Sequence, residues 1–507
     1  MQGTFWSLVP AVVAIVLALL TKEAYSSLFI GIIIGGLFYS GFSFTGTLEH
    51  IFKDGLVAQL SDSYNVGILV FLIFLGIIVC LMNKAGGSAA FGKWASSHVK
   101  GRVGAQLATV LLGILIFIDD YFNCLTVGSV MWPVTDCQKV SRAKLAYLID
   151  STAAPICIIA PISSWAAAVS GFAPEGTNGL LLFIRAIPYN YYAILTIVMM
   201  VFISVCKLDW GPMAVHEKNA MEGDVFTVQS AQNDADGSSA ASGRGKVVDL
   251  VLPIVVLIAS CVVGMIYTGG FFSGASFIEA FANSDASVGL VLGSFGGLVV
   301  TFVFYIVRRV LPFKDCMACI TEGFKAMVPA ITILALAWTL KGTTDSLGAA
   351  SYVAGLVEKT AGSLLNFLPA VVFVIACLLA FASGTSWGTF GILIPITLSV
   401  FPLESGNPLS IICVAACMAG AVCGDHCSPI SDTTIMSSAG AKCDHLSHVS
   451  TQLPYALSVA VVSFATYLLA AFIQNAVVSL LVGIVLMIVF LFAMRRQVKR
   501  GDSRIKA

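Results

Sequence analysis

The stretch "CGDHCSPISDTTIMSSAG", residues 423 to 440, combines two aspartates, a central proline and many hydroxyl side chains between long apolar segments. The whole chain is 58% hydrophobic and only 11% charged, with a mean hydropathy of +0.94. This composition is typical of an all-α membrane protein that crosses the bilayer many times. Because hydrocarbon cannot satisfy freed backbone N–H and C=O groups, a polar segment with a proline here predicts a helix that is broken where it lines a binding site.

The composition also narrows the class of protein. The 27 basic and 27 acidic residues balance, so nothing indicates a nucleic-acid partner. The 14 cysteines lie mostly inside apolar runs without paired spacing, which indicates core residues rather than disulfides. No nucleophile and base stand at enzyme spacing, so we predict neither an enzymatic activity nor a cofactor. The first apolar run lacks a basic flank and a cleavage site, which predicts a retained span.

Basic residues predict the topology, because positive charge near the end of a span tends to stay in the cytoplasm. Lys and Arg collect at 84–102, 139–144, 207–246, 308–325 and in the C-terminal tail. The apolar segment 104–135 has basic flanks on both sides, which predicts a re-entrant hairpin that enters from the cytoplasm. A second hairpin, over 364–403, would enter from outside. With about eleven full spans, this topology predicts an external N-terminus and a cytoplasmic C-terminus.

The two parts of the chain repeat one order of motifs. An apolar run leads to "WPVT" (132–135) or "IPIT" (394–397), and then to a span interrupted at "APISSW" (160–165) or "SPISDT" (428–433). Opposite hairpin entry indicates inverted copies, whose broken helices meet near the bilayer midplane and bind the transported species. The predicted organisation is a first half over 1–206 with a broken helix at 145–172, a polar cytoplasmic linker at 207–246, and a second half over 247–507 with a broken helix at 408–440.

Asp432 is the foremost candidate for a functional acid. A carboxylate at bilayer depth costs about 2.5 to 3.5 kcal/mol on insertion scales, so its default interpretation is functional. The alternative is an aspartate that caps the half-helix after the break. Asp425 lies just before the same break, and Ser431 and Thr433 lie beside Asp432.

Other polar residues near span ends have plainer interpretations. The cysteines and histidines around the break fit no zinc-ligand spacing, so a zinc site is disfavoured. We expect His445 and His448 to face the cytoplasm beside Lys442 and Asp444. We expect Lys341 to lie near the outer boundary and to extend its ammonium group toward water.

The tip of the first hairpin carries two adjacent acids, Asp119 and Asp120, followed by Asn123 and Thr126. Adjacent side chains on a helix point in different directions, so one acid would face the site while the other caps the helix or stays solvated. The sequence leaves open which acid binds. Adjacent carboxylates that are kept from water share protons unevenly, as a proton-coupled site requires.

The tip of the second hairpin carries Ser383, Thr385 and Ser386 between glycines. Hydroxyl and carbonyl oxygens suit a small cation, although small polar residues also hold helices together in lipid. The complete set of predicted ion-binding or substrate-binding residues is Asp119, Asp120, Asn123, Thr126, Ser163, Ser164, Ser383, Thr385, Ser386, Asp425, Ser431, Asp432 and Thr433. Within this set, Na⁺ is expected on a subset with Asp432, Asn123 and Ser386.

Three long motifs resemble the signatures of the NhaC-type sodium/proton antiporter family. They are "FIDDYFNCLTVGSVMWPVTD", "KLAYLIDSTAAPICIIAPISSW" and "GDHCSPISDTTIMSSAGAKCDHLSHVSTQLPYA", which cover some 75 residues of both halves. The resemblance implies a bacterial inner-membrane secondary transporter with inverted repeats, re-entrant hairpins and an elevator-like motion in a homodimer. One departure is Trp132, where similar sequences usually carry an arginine.

Two transport functions follow from these observations. The first is exchange of Na⁺ for H⁺, in which acids and hydroxyls bind the two coupling ions in turn. The second is Na⁺- or H⁺-coupled transport of a small organic solute such as an amino acid or carboxylate, which the paired Trp165 and Trp387 and the many hydroxyls favour. A channel is disfavoured, because two inverted polar breaks indicate alternating access.

Overall fold

The computed structural model describes the chain except residues 22, 118–119, 162, 164, 167–168, 170–178, 228–244, 350, 353–354, 356–366, 404–406 and 506–507. Its described part contains helices and no strand, which confirms the all-α class. The predicted sites Asp119 and Ser164 lie outside the described residues.

The helices of the first half follow one another with short connections. They are α1 (Val9–Thr21), α2 (Ala24–Tyr39), α3 (Phe44–Glu49), α4 (Ala58–Ser61), α5 (Ser63–Lys84), α6 (Gly87–His98), α7 (Gly101–Leu115), α8 (Asp120–Cys137), α9 (Arg142–Asp150), α10 (Ala154–Cys157), α11 (Gly179–Ala186), α12 (Tyr191–Cys206) and α13 (Pro212–Glu222). A π-helical turn, His50–Val57, joins α3 to α4. Short 3₁₀ turns occupy Phe5–Leu8 and Ile187–Tyr189.

The second half begins after the polar middle segment. Its helices are α14 (Val248–Thr268), α15 (Phe277–Ala282), α16 (Ala286–Val307), α17 (Phe313–Ser346), α18 (Leu368–Ser383), α19 (Ser386–Val400), α20 (Pro408–Cys427), α21 (Asp432–Gly440), α22 (His445–Ile473) and α23 (Ala476–Ile505). A 3₁₀ turn, Phe271–Ser273, lies between α14 and α15.

Several helices are long and apolar enough to cross a bilayer, so the protein is a multi-pass membrane protein. Among the described residues six single helices meet this criterion, and up to eight spans result if two bent pairs each count as one. One pair bends by 50° between Leu181–Tyr189 and Tyr191–Cys206, and the other bends by 43° within α17. About eleven spans, two re-entrant hairpins and the orientation of the termini stay predictions.

The helices pack in two groups, and each group takes elements from both halves of the sequence. In one group α1, α2 and α5 pack with α14, α16 and α17. In the other, α7 to α9 pack with α20 to α22, and α18 and α19 lie along α20. We call these the α5 group and the α20 group. Because sequence halves and packing groups differ, residues far apart in the chain meet where the groups touch.

A glycine contact joins the two sequence halves inside the α20 group. Helices α8 and α21 approach so closely that a Cβ on Gly128 would lie 2.4 Å from the carbonyl carbon of Gly440. A Cβ on Gly440 would lie 2.5 Å from the carbonyl oxygen of Cys124. Small residues permit such backbone contact in membrane helices. The contact brings the N-terminus of α8 next to the N-terminus of α21.

Helix breaks occur at three places that matter for the site. Helix α7 ends at Leu115 and α8 begins at Asp120. Helix α18 ends at Ser383, and Gly384 follows with φ +65° before α19. Helix α20 ends at Cys427 and α21 begins at Asp432, which leaves 428–431 non-helical. A Cβ on Gly384 would lie 2.5 Å from the carbonyl oxygen of Ile430, so the tip at 384 packs directly on the break at 428–431.

The described beginning of the predicted linker is folded onto the first half. Helix α13 buries Glu217, which forms an ion pair with Arg102 and accepts a hydrogen bond of 2.8 Å from the backbone N–H of Ser141. Arg142 then accepts no such partner from α13, but its backbone N–H donates to the carbonyl of Val225 at 2.9 Å. The interpretation of 207–246 as a simple polar linker therefore leaves out a packed helix at its start.

Candidate functional site

Asp432 begins α21 at the break and accepts hydrogen bonds from neutral donors. The Tyr121 hydroxyl donates to its Oδ2 at 3.1 Å, and the Trp338 indole N–H contacts Oδ1 and Oδ2 at 3.1 and 3.2 Å. The N-cap of α21 is Ser431, whose Oγ accepts from the backbone N–H of Thr434 at 3.4 Å. The alternative interpretation of Asp432 as the cap is therefore wrong, because the preceding serine occupies that position.

Asp425 lies in the last turn of α20, on the other side of the same break. It is 4% exposed, and its Oδ2 accepts a hydrogen bond of 3.3 Å from the Thr433 hydroxyl. The Thr433 hydroxyl also lies 3.0 Å from that of Ser431. Within the described part of the chain, Asp425 Oδ1 has no hydrogen-bond partner. Neither Asp425 nor Asp432 pairs with a basic side chain among the described residues.

Asn123 holds the break between α7 and α8 in place. Its Nδ2 group lies 2.7 Å from the carbonyl oxygen of Gly113, 2.8 Å from that of Ile116 and 3.0 Å from that of Thr152. These carbonyls lie where helical hydrogen bonding stops, so the amide supplies donors that the backbone lacks. Its buried Oδ1 finds no hydrogen-bond partner in the described structure. Asn123 thus has a structural role that the sequence did not reveal.

Two other predicted residues of α8 are buried close to Asn123. Asp120 is 1% exposed in the first turn of α8, and Thr126 is fully buried. One turn further on, Cys124 lies against α21, with its Sγ 3.6 Å from the carbonyl oxygen of Thr433. The first hairpin and the break at 428–431 are therefore adjacent through α8 and α21.

Ser163 stabilises the interruption after α10 and is engaged by the backbone. Its hydroxyl lies 2.8 Å from the carbonyl oxygen of Cys157 and 3.1 Å from that of Ala160, and it accepts from the N–H of Ala166 at 3.1 Å. This network resembles a cap, and it does not bring Ser163 to Asp425 or Asp432.

The second hairpin tip contributes hydroxyls next to the same break. Ser386 donates to the carbonyl oxygen of Ala421 at 3.1 Å, one turn before Asp425. Thr385 caps α19 through the N–H of Gly388 at 3.4 Å. The buried Ser383 Oγ has no hydrogen-bond partner among the residues that the structure describes.

The predicted Na⁺ subset is only partly assembled. Asp432 lies at the break, whereas the Asn123 amide and the Ser386 hydroxyl both donate to backbone carbonyls. Considering only the described residues, no three His, Cys, Asp or Glu side chains converge as metal ligands. Oxygen atoms near the break could still bind a small hard cation, since carboxylates, hydroxyls and freed carbonyls are its preferred ligands.

Lys341 lies in a cavity next to the second hairpin. The cavity has a volume of about 310 Å³, and its polar lining residues are Lys341, Thr344, Asp345, Ser383, Thr385 and Thr389. Among the described residues, no ion pair within 4.0 Å joins Lys341 to an acid. The site therefore has a cationic group on α17, one turn from Trp338, that the sequence assigned to the membrane boundary.

The two histidines expected in the cytoplasm are buried instead. His448 is fully buried, and its Nε2 lies 3.3 Å from Asp150 Oδ2. The His445 Nε2 lies 2.7 Å from the carbonyl oxygen of Pro429. The expectation is wrong because α22 starts at His445 and turns its first residues toward the break between α20 and α21. Only the acid in "LIDSTAAP", before the first interruption, hinted at a partner for them.

Trp132 lies at the far end of α8 from Asp120 and stacks with basic groups. The Arg142 guanidinium lies 4.8 Å from its ring centroid, and the Lys442 ammonium lies 4.6 Å from it. Arg142 also forms a two-point ion pair with Asp136 at 2.8 and 2.7 Å. The indole therefore replaces an arginine at a contact between basic side chains, away from Asp425 and Asp432.

Trp165 and Trp387, the paired tryptophans of the two repeats, pack together. Their ring centroids lie 5.7 Å apart, and Trp165 is fully buried. Both indole nitrogens are buried without a hydrogen-bond partner in the described part of the chain.

Comparison with known proteins agrees with the motifs. The profile described as the Na+/H+ antiporter family matches residues 145–472. An uncharacterized protein of Haemophilus influenzae is 38% identical over 98% of this chain and 96% of its own length. The malate-2H(+)/Na(+)-lactate antiporter of Bacillus subtilis is 28% identical over 36% of this chain and 42% of its own length. The arginine/ornithine antiporter ArcD of Halobacterium salinarum is 36% identical over 20% and 22%, respectively. The chain therefore belongs to the Na⁺/H⁺ antiporter family, and it is a multi-pass membrane transporter.

Proposed function

We propose that the protein exchanges Na⁺ for H⁺ as a secondary active antiporter, with Asp425 and Asp432 at the centre of the cation site. The observation that carries this proposal is the pair of acids on either side of the break at 428–431, without a basic partner among the described residues. Two carboxylates held away from water need compensation by a cation or a proton. Competition between the two ions for these oxygens would couple their movements.

The residues near the break offer a ligand set suited to Na⁺. Asp425 Oδ1 is available, the Thr433 and Ser431 hydroxyls lie beside it, and the non-helical backbone frees carbonyl oxygens. These hard oxygen ligands suit a small cation better than a soft metal. Asn123 Oδ1 and the hydroxyls at 383–386 are further ligands if the first and second hairpins close around the ion.

Alternating access would come from movement of the α20 group against the α5 group. The breaks that carry Asp425, Asp432 and the second hairpin tip belong to the α20 group, while Trp338 and Lys341 belong to the α5 group. The hydrogen bond from Trp338 to Asp432 is thus a contact between groups that such movement would break and remake. A bacterial inner-membrane location, an external N-terminus, a cytoplasmic C-terminus and a homodimer complete the proposal.

A second candidate function is coupled transport of a small organic solute. The cavity beside the second hairpin favours it, because Lys341 and Asp345 offer one group of each charge beside several hydroxyls. Such a lining would suit an amino acid or a carboxylate. The relatives named for malate and lactate or for arginine and ornithine carry solutes of this kind.

Transport in proteoliposomes tests the first proposal. An outward proton gradient should drive uptake of radioactive Na⁺ by the wild type. Asp432→Asn and Asp425→Asn should each reduce this uptake by about tenfold or more, which corresponds to about 1.4 kcal/mol. Asp315→Asn, an exposed acid at the start of α17, is the matched control and should transport normally. Wild-type uptake in Asp432→Asn would exclude its carboxylate from the cation site.

Thermal shift in detergent separates the two functions. A solute that stabilises the wild type should lose its effect in Lys341→Met if it binds in the cavity, whereas stabilisation by Na⁺ should persist. Stabilisation by Na⁺ alone, across amino acids and carboxylates, would favour simple cation exchange.

A further inference from the structure

A second group of buried polar side chains lies apart from the acids at the break. It joins Asp150, the last residue of α9, to His448 and Gln452 on α22 and Thr434 on α21. Asp150 Oδ2 lies 2.6 Å from Gln452 Nε2, 3.1 Å from the Thr434 hydroxyl and 3.3 Å from His448 Nε2. Asp150 is 1% exposed and His448 is fully buried. The group therefore connects both sequence halves in the interior of the α20 group.

Two atoms of this group are available for a proton. Asp150 Oδ1 and His448 Nδ1 are buried, and neither has a hydrogen-bond partner in the described structure. Oδ2 is already saturated with donors, so a proton on this carboxyl would lie on Oδ1. The same proton could instead lie on His448 Nδ1, because His448 already directs Nε2 to the carboxylate.

The neighbouring charges define what this pair can do. His426 on α20 is the nearest other titratable group, with its Nε2 3.8 Å from Asp150 Oδ2. Its Nε2 lies 3.2 Å from the Ser151 hydroxyl and its Nδ1 lies 2.9 Å from the Tyr192 hydroxyl, so both ring nitrogens are engaged. Asp425 and Cys427 on α20 and His445 on α22 also act electrostatically on Asp150.

The basic side chains of the same region are occupied elsewhere. Lys144 on α9 is paired with Asp209 at 2.6 Å, and no Lys or Arg pairs with Asp150 among the described residues. A buried carboxylate without such a partner is stable only if a proton or a protonated histidine neutralises it. Asp150 and His448 thus require a shared proton that no fixed cation replaces.

We propose that Asp150 and His448 form a proton-binding site separate from the cation site at Asp425 and Asp432. The proposal rests on the proposed function, because it assigns the proton and the cation of the exchange to different positions. Thr434 connects them: its hydroxyl donates to Asp150, and it lies in the first turn of α21, two residues after Asp432. Release of the proton would leave Asp150 charged and strengthen this hydrogen bond, which would act on the N-terminus of α21.

The test compares two kinds of flux in proteoliposomes. Exchange of Na⁺ for Na⁺ at equal pH needs no proton, whereas gradient-driven Na⁺ uptake does. Asp150→Asn should keep Na⁺/Na⁺ exchange within about twofold of the wild type but lower gradient-driven uptake by about tenfold or more. His448→Gln should show the same pattern, and it decides the matter if Asp150→Asn does not fold. Equal loss of both fluxes in either folded variant, or wild-type gradient-driven uptake, would overturn the proposal.

A direct measurement of protonation distinguishes failure of this proposal from failure of the proposed function. Infrared difference spectra of the purified protein between high and low pH should contain the C=O band of a buried protonated carboxyl. Asp150→Asn should remove this band, while Asp315→Asn should keep it. The band is expected even if the cargo is not Na⁺, and an unchanged spectrum in Asp150→Asn would refute proton binding here whatever the protein transports.

Discussion

Replacement of Asn123 tests whether this residue holds the first break together or only binds an ion. Its two N–H groups serve the carbonyl oxygens of Gly113, Ile116 and Thr152 at 2.7 to 3.0 Å. A buried polar group that loses its partner costs about 1 to 3 kcal/mol. Because Asn123→Ala removes two donors, we expect the free energy of unfolding to fall by about 2 to 6 kcal/mol.

Asn123→Asp makes the prediction sharper. The carboxylate keeps the size of the side chain and provides oxygen ligands, but it faces three carbonyl oxygens without a donor. We therefore expect Asn123→Asp to be less stable than Asn123→Ala, although a pure Na⁺ ligand would tolerate aspartate better than alanine. Thermal unfolding in detergent, followed by loss of the monodisperse peak, measures this order. Asn219→Ala is the matched control, since the Asn219 amide makes one hydrogen bond of 3.4 Å to Thr227 and its loss should cost about 1 kcal/mol or less.

An unfolding temperature of Asn123→Ala equal to that of the wild type would refute the structural role. If Asn123→Asp were also as stable as the wild type and bound Na⁺ more tightly, the residue would be an ion ligand without a role in the break.

Two further replacements test contacts between the sequence halves. Gly128→Val should prevent folding or separate α8 from α21, because its Cβ would meet the Gly440 backbone at 2.4 Å; low yield of monodisperse protein checks this, and a normal yield and unfolding temperature would contradict it. Trp132→Arg should lower stability by about 1 to 3 kcal/mol, because it places a third cation beside Arg142 and Lys442 and removes their aromatic partner, whereas Trp132→Phe should cost less. Both Trp132 variants should retain gradient-driven Na⁺ uptake, and selective loss of transport in a stable Trp132→Arg would show that this position belongs to the transport path.

Local chemistry made several features predictable from the sequence. Long apolar runs specify membrane helices, since only a helix satisfies its own backbone in lipid. Proline and hydroxyl residues between such runs mark the interruption next to Asp432, and Gly384 marks the turn between α18 and α19. Each of these features depends on residues a few positions apart, so the order of amino acids is enough to indicate it.

The sequence did not predict which side chains meet at these interruptions. Asp432 contacts Tyr121 and Trp338, and Asp150 contacts His448, across separations of 311, 94 and 298 residues. No local spacing encodes such pairs, which is why His448 was expected near water and Asp150 was not among the predicted site residues.

The sequence by itself determined that this protein is a helical membrane transporter with a polar break beside Asp432, because hydrophobicity and backbone satisfaction act over one span. Only the tertiary structure decided that Ser431 rather than Asp432 caps α21, that Asn123 donates to backbone carbonyls, and that Asp150 meets His448. These roles depend on how α8, α9, α21 and α22 cross. The crossings are set by close backbone contacts such as that between Gly128 and Gly440, which form only when both halves of the chain have folded together.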